Sequence, residues 1–254
     1  MRDIAEIEHY VASKATAVIA TSNIVREDLI REAIDPAKIY VIHNAIEDYW
    51  FEQKPEESAE EPAIVFLGRI GGDPFSLKLK GFDRLIYLYR LFPDTEKVTI
   101  AMTPNKKIIR WMLENLPRHR LFTNIKKDSI PEKLKPYSGG ILLLPSRYEG
   151  FSLSLIEGMS QGLVPVAYRV GVVPEIIENG VNGFIVNDEN EAENKIKLLL
   201  EDRKLRKTMA TNAYKTSLEF SADTMTSQMI DVYNGILEHR KKPETAKPVT
   251  IMKS

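Results

Sequence analysis

The chain has 254 residues, 43% of them apolar and 28% charged, enough for one sizeable core or two small ones and too apolar for a disordered chain. Its 35 basic and 36 acidic residues leave a net charge of −1, so no field exists to hold nucleic acid and none is expected as a partner. The absence of cysteine excludes disulfides, thiolate nucleophiles and thiolate metal sites, and fits a reducing compartment.

Ile4, Ile7, Val11 and Ala15 recur at helical spacing, and Thr16–Ala20 reads as a short buried strand. Ser22 opens a second helix through Ile24, Val25, Leu29 and Ile30, which Asp35-Pro36 stops. Ile39–Ile42 makes another strand before His43-Asn44-Ala45-Ile46-Glu47. From Glu52 to Pro62 the chain is acidic, with Ala59 its only apolar residue apart from proline, and reads as an exposed linker. Ala63–Leu67 is a buried strand ending in Gly68-Arg69; a loop is expected from Ile70 to Leu79, and helical pattern resumes at Gly81-Phe82-Asp83.

Val98–Met102 is strand-like and leads to a helix with Thr103 as its cap and Pro104 at its first position. That helix sets Lys106, Lys107 and Arg110 beside Ile108, Ile109, Trp111 and Met112. An amphipathic cover for a sheet is the expected reading, with peripheral contact to a membrane surface or a partner as the rival. Arg120–Thr123 is the next strand, followed by Asn124-Ile125-Lys126.

Ile141–Leu144 is a continuous apolar run between Gly139-Gly140 and Pro145, as for a strand buried on both faces of a parallel sheet. Beyond it, Leu153, Ile156 and Met159 follow helical spacing, with Ser152 the candidate cap. A helix therefore opens above the carboxyl end of a strand, where free amides and the helix dipole favour an anion such as phosphate. Glu149 and Glu157 stand eight residues apart on either side of that helix start. Carboxylates so placed suit recognition of hydroxyls on both flanks of a diphosphate, because each accepts bonds from vicinal diols.

Leu163–Ala167 and Phe184–Val186 are further strands, with Gly171-Val172-Val173-Pro174-Glu175-Ile176-Ile177 between them. The second part of the chain thus alternates six strands with helices, which predicts a doubly wound parallel sheet. From Asn190 the pattern is helical: Ile196–Leu200, Leu205–Leu218, then a helix capped by Ser221 with Met225, Met229, Ile230 and Tyr233. The Lys- and Pro-rich tail to Ser254 is expected to be disordered. No apolar run approaches the roughly 20 residues that span a bilayer, and no signal-like region follows Met1-Arg2, so a cytoplasmic location is expected, with at most peripheral contact at the inner face of the cell membrane. His9, His43, His119 and His239 are scattered and read as surface or structural residues, and no clustered ligand set implies a metal.

Pro145–Val166 resembles the donor-lobe signature of the retaining GT-B glycosyltransferases of glycosyltransferase family 4, P-S-x-x-E-G-F-x-L-x-x-x-E-x-M, with Ser152 where glycine is common and Gly158 where alanine is usual. Gly68-Arg69 with Lys80-Gly81-Phe82-Asp83 resembles the family's G-R and K-G-F-D element, and Gly171–Ile177 its G-G-x-x-E-I-I turn. Val41–Glu47 resembles the family's V-I-P-N-G-V-D turn, with His43 and Ala45 in place of Pro and Gly. The resemblance covers roughly residues 14 to 235. It implies a Rossmann-like donor lobe at 63–218, preceded by a remnant of an acceptor lobe at 1–50 and the acidic linker at 51–62, and followed by a crossover helix at 219–240 and a tail at 241–254. In the family that last helix crosses onto the first lobe, so it is expected to cover residues 1–50.

The resemblance further implies that Glu149 and the amides of Gly150 and Phe151 meet the transferred sugar, while amides near Ser152 and Leu153 meet the distal phosphate. Glu157 would hold the ribose hydroxyls, and the backbone at Asn124 and Ile125 the base. Gly68 and Arg69, with Lys80, would line and neutralise the diphosphate; Lys78 is the competitor for Lys80, and the register set by Gly81-Phe82 favours Lys80. Gly171 would approach the sugar or phosphate through its backbone. The implied activity is metal-independent, retaining transfer of a hexosyl group without a cofactor. The donor is a nucleotide-diphosphate sugar, UDP-linked in preference to GDP- or ADP-linked, and the acceptor a sugar, glycan or glycolipid hydroxyl. The rival readings are a non-catalytic nucleotide-sugar-binding or interaction subunit completed by a separate acceptor-lobe chain, and a nucleotide-sugar epimerase of the same fold.

Overall fold

The computed structural model describes residues 2–52, 54, 55, 61–103 and 105–241. Most of the acidic linker, Pro104 and the tail beyond residue 241 lie outside these residues. The chain opens with α1 (Arg2–Lys14), β1 (Val18–Ala20), α2 (Asn23–Arg31) and β2 (Ile39–Val41). β1 and β2 pair in a two-stranded parallel sheet with a small core of Ala20, Ile34 and Ile39. Ser22 caps α2 as expected, its hydroxyl accepting from Val25 N at 3.2 Å, and Asp35 caps a short 3-10 turn rather than stopping the helix itself.

The large sheet is built from β3 (Ile64–Arg69), β4 (Lys97–Met102), β5 (His119–Thr123), β6 (Ile141–Leu144), β7 (Val164–Tyr168) and β8 (Phe184–Val186). All six strands run parallel in the order β5-β4-β3-β6-β7-β8. The strand order reverses between β3 and β6, and in such sheets the crevice outside the carboxyl ends at that point is where ligands bind. The helices are α3 (Pro74–Leu79), α4 (Phe82–Leu91), α5 (Lys106–Asn115), α6 (Ile130–Leu134), α7 (Leu153–Ser160), α8 (Val173–Ile176), α9 (Glu189–Glu201), α10 (Arg203–Ser217) and α11 (Ala222–Lys241).

Alternation along each strand feeds two cores, one on each face of the sheet. Ile64, Phe66, Ile141, Leu143, Val164 and Val166 pack under α4, α9 and α10, whereas Val65, Leu67, Leu142, Leu144 and Ala167 pack under α7 and α8. This double burial explains why β6 is a pure apolar run. Ile46 and Trp50 join the second core, so the segment before residue 50 contributes to the large sheet as well as to the small one. Gln161 Nε2 donates to the Trp50 carbonyl at 2.8 Å, pinning that segment to the end of α7.

Two local expectations are corrected. The stretch Ile70–Leu79 is not an open loop: Asp73 accepts from Phe75 N and Ser76 N at 3.0 Å and starts α3, with Pro74 at its first position. α5 is capped by Asn105, whose Oδ1 accepts from Lys107 N and Ile108 N; Thr103 instead accepts from Asn105 N. α11 follows directly on the bridge between Ile46 and Ser221. It meets the 3-10 turn Leu218–Phe220 and leaves Ile230, Tyr233 and Leu237 more than half exposed. No helix among the described residues is long and apolar enough to cross a membrane.

Trp50 has no exposed surface. Trp50→Ala should lower the free energy of unfolding by about 3–5 kcal/mol in a denaturant titration; an effect under about 1 kcal/mol would place Trp50 outside the core of the large sheet.

Candidate functional site

Two loops meet at the reversal point. At the end of β3, α3 and the turn Lys80-Gly81 lead into α4; at the end of β6, Pro145–Ser152 leads into α7. Gly81 has φ +67°, and a Cβ built on it would lie 1.9 Å from the Pro145 carbonyl oxygen, so only glycine lets the loops touch here. Around that contact, Arg147 N donates to Leu79 O at 2.8 Å, and the Arg147 guanidinium grips Asp83 through two bonds of 2.6 and 2.7 Å. This paired, planar bridge fixes direction as well as distance.

The result is that Lys80 Nζ donates to Glu149 Oε1 at 2.7 Å, with Ser146 Oγ donating to the same oxygen at 2.8 Å. Lys78 does not share that placement; its carbonyl accepts from Arg147 Nη1 at 3.1 Å. Gly171, at φ +49°, braces the loop from the other side, for a Cβ there would lie 2.2 Å from the Glu149 carbonyl oxygen. The close approach recorded for Gly171 is therefore to the loop that carries Glu149.

A cavity of about 440 Å³ opens above the carboxyl ends of β3, β4 and β6. Gly68, Arg69, Lys80, Asn124, Ile125, Glu149, Phe151, Ser152, Leu153 and Glu157 all line it, which brings together most of the residues singled out from sequence. Gly150 lies in the same loop, where an added Cβ would meet nothing within 4 Å. Asn124, at φ +53°, clips the neighbouring loop by accepting from Thr103 N and donating to Thr103 O, both at 3.1 Å. A larger groove of about 630 Å³ lies between α4 and α5, lined by Phe82, Ile86, Tyr87, Ile108 and Trp111 among others. It holds none of Arg69, Lys80, Glu149 and Glu157, which all line the smaller cavity.

Ser152 occupies the cap position of α7, yet its hydroxyl meets Ser154 Oγ at 3.2 Å and caps no amide of the helix. The first-turn amides thus face the cavity mouth without a side-chain acceptor, the arrangement that suits a bound anion. Glu157, one to two turns on, is buried at 6% exposure. Burial raises its carboxyl above the usual carboxylate range, although Lys127, whose Nζ lies 3.5 Å from Glu157 Oε1, pulls the other way.

Sequence reading missed Lys127, Ser154 and Ile130, which also line the cavity. Lys127 lies one residue past the expected base-contacting loop, and nothing in its spacing distinguishes it from Lys126. Glu175, in the turn and helix that follow Gly171, accepts from Asn23 N at 2.9 Å and Asn23 Nδ2 at 2.8 Å, and meets His43 Nε2 at 3.2 Å. The start of α2 is thereby tied to α8. His119 lies away from the cavity against Thr99 Oγ1 at 3.0 Å, and burial lowers it to about 4.

A parallel sheet whose reversal point carries an anion-seeking helix start, two cations and two carboxylates is the architecture of the carboxyl-terminal, Rossmann-like lobe of GT-B glycosyltransferases. The profile of the glycosyl transferases group 1 family matches residues 49–216, and the chain belongs to that family. It is 27% identical over 220 residues to the alpha-maltose-1-phosphate synthase of Mycolicibacterium smegmatis, covering 74% of this chain and 52% of that protein. Its fold matches the sucrose-phosphate synthase of Thermosynechococcus elongatus with a TM-score of 0.77, at 21% identity over 92% of this chain and 61% of that one. It also matches Anabaena HepE, solved in complex with UDP-glucose, with a TM-score of 0.74 at 22% identity over 91% of this chain and 67% of that one. The chain spans about half the length of the synthase it matches.

Glu157 supplies a test of the site's electrostatics. Its carboxyl binds a proton more tightly in the folded chain than in the unfolded chain, so its contribution to stability is full below the unfolded value and lost as pH rises through the folded one. At neutral pH Glu157→Gln should therefore stabilise the fold by on the order of 1 kcal/mol, with the gain vanishing in acid. Thermal melts across pH measure this; a loss of stability at neutral pH would mean that the carboxylate is held as a favourable charge.

Proposed function

We propose that this chain is the donor-binding lobe of a retaining, metal-independent glycosyltransferase of glycosyltransferase family 4, bearing the end of an acceptor lobe in residues 1–50. The observation that carries the reading is the meeting of Arg69, Lys80, Glu149, Glu157 and the start of α7 around one cavity at the sheet's reversal point. A nucleotide-diphosphate sugar fits that set part by part. The base enters beside Asn124 and Ile125, the ribose hydroxyls donate to Glu157, and the diphosphate lies on the amides of Ser152 and Leu153. Arg69 offers a fork and Lys80 a point charge to the phosphates. In this reading Arg69 and Lys80 neutralise the charge that develops on the leaving nucleotide.

In the proposed reaction the bond between the anomeric carbon and the distal phosphate oxygen breaks. The nucleoside diphosphate leaves with the electron pair, and an oxocarbenium-like ion pair forms briefly. The acceptor hydroxyl then bonds to the same face of that carbon, and its proton passes to the departing phosphate, which retains the anomeric configuration. Glu149 orients the sugar through its hydroxyls with Gly150 and Phe151. Its present partner, Lys80, is shared with the incoming diphosphate. The lobe alone should bind donor better than it catalyses, because positioning the acceptor supplies a large share of the rate.

Titration calorimetry with UDP, UDP-glucose, GDP and ADP tests the division of labour. Glu157→Ala should weaken every ribonucleotide about ten- to hundredfold, the range for a lost charge-assisted pair of hydrogen bonds. Glu149→Ala should leave the nucleoside diphosphate nearly unchanged while removing the difference between it and its sugar conjugate. Equal and negligible effects of the two variants would overturn both assignments.

A further inference from the structure

Lys127 is the cation that the donor-site reading leaves unused. It begins the 3-10 turn Lys127–Ser129 after β5 and reaches two carboxylates at once. Its ammonium lies 2.7 and 2.9 Å from the two oxygens of Glu47, on the segment that leads into the large sheet, and 3.5 Å from Glu157 Oε1 inside the cavity. Ile46 and Trp50, on either side of Glu47 in the chain, are fully packed in the sheet's second core, so the backbone that carries Glu47 is anchored while its side chain stays half exposed. Lys127 is thus a half-exposed chain whose ammonium is shared between a half-exposed acid on one side and a buried acid on the other.

We propose that Lys127 is a positioning residue of the nucleotide site: lodged between Glu47 and Glu157, it holds the Glu157 carboxylate charged and aimed into the cavity, where that carboxylate reads the vicinal hydroxyls of a ribonucleotide. This rests on the reading of the cavity as a nucleotide-sugar site and adds a residue that enforces ribose recognition there.

The electrostatics agree. Burial opposes charge on Glu157, Lys127 favours it, and the neighbouring charge of Glu47 opposes it. Glu47 is also pushed up by burial, but its hydrogen bond from Lys127 takes it below the usual carboxylate value. Burial pulls Lys127 down, and Glu47 and Glu157 together more than offset this. Lys127 thus sits between the two acids and favours charge on both, and its removal leaves the two acids facing each other. Tyr49 from the Glu47 segment also faces this triad, and Arg69, Lys80 and Glu149 line the same cavity. A neutral Glu157 would keep one acceptor oxygen and turn the other into a donor, which suits a diol poorly.

Two measurements on the full chain test this. The first follows the Glu157 carboxyl by carbon NMR across pH, without nucleotide, in the native protein, Lys127→Met and Lys127→Arg. Lys127→Met should move the midpoint upward and Lys127→Arg should leave it near the native position; Glu47→Gln should move it downward. An unchanged midpoint in Lys127→Met, or an upward move in Glu47→Gln, would overturn the proposal. The second measures affinity for UDP, 2′-deoxy-UDP and pyrophosphate from about pH 6 to about pH 9. Because each pKa unit above the working pH removes tenfold of the ionised form, Lys127→Met should bind UDP roughly tenfold more weakly near pH 6, with the gap closing toward pH 9. It should discriminate less against 2′-deoxy-UDP and bind pyrophosphate as before. A pH-independent loss shared by all three ligands would instead make Lys127 a direct phosphate contact and overturn the proposal. Absence of UDP binding to the native protein would refute the nucleotide reading, while the carboxyl titration would still decide the coupling.

Discussion

The approach of Gly81 to the Pro145 carbonyl is the contact on which the site depends. At φ +67° and without a Cβ, Gly81 lets the turn after β3 lie directly against the loop after β6. Only then can the Arg147–Asp83 bridge close and Lys80 reach Glu149 at 2.7 Å. A methyl group at position 81 would demand a backbone shift, because what it meets is a carbonyl and not a flexible side-chain end. The cations at and beyond the end of β3 and the carboxylates that follow β6 are thus registered by backbone contact. Side-chain attraction alone could not set that geometry, since a partly exposed ion pair contributes little by itself.

The second constraint is burial of charge. Glu157 sits at 6% exposure on a helix whose neighbouring positions, Leu155, Ile156 and Met159, are core residues with no exposed surface. A carboxylate there is costly, and among the described residues the fold offsets the cost with one cation at 3.5 Å. A group kept at the expense of stability is a candidate for ligand recognition, which is the role proposed for Glu157. The uncapped start of α7 follows the same logic: a serine stands in the capping position, and its hydroxyl turns elsewhere.

Much of this could be read from residue pattern. β6 and β8 fall at Ile141–Leu144 and Phe184–Val186, where apolar runs bounded by Gly, Pro and Asn place them. The doubly wound sheet follows from six such runs alternating with helices, because the connections allow few other arrangements. What escaped the pattern depends on contacts distant in sequence. Asp73-Pro74 carries both a cap and a first-turn proline, but the preceding Gly71-Gly72 gives it the look of a turn, which hides α3. Thr103 and Asn105 are both capable caps, and the choice falls to Asn105 once Asn124, 21 residues further on, binds the Thr103 backbone. Ile46 and Trp50 read as the end of a separate unit until the sheet they pack under is assembled. Lys127 has no local mark at all; its meaning comes from Glu47, 80 residues earlier, and from Glu157.

The most direct test of the account is a crystal structure of the chain with UDP. The account predicts the diphosphate across the first turn of α7 between Arg69 and Lys80, with the ribose hydroxyls on Glu157 and the base beside Asn124 and Ile125. A nucleotide seated elsewhere, for instance in the groove between α4 and α5, or one whose ribose points away from Glu157, would contradict it.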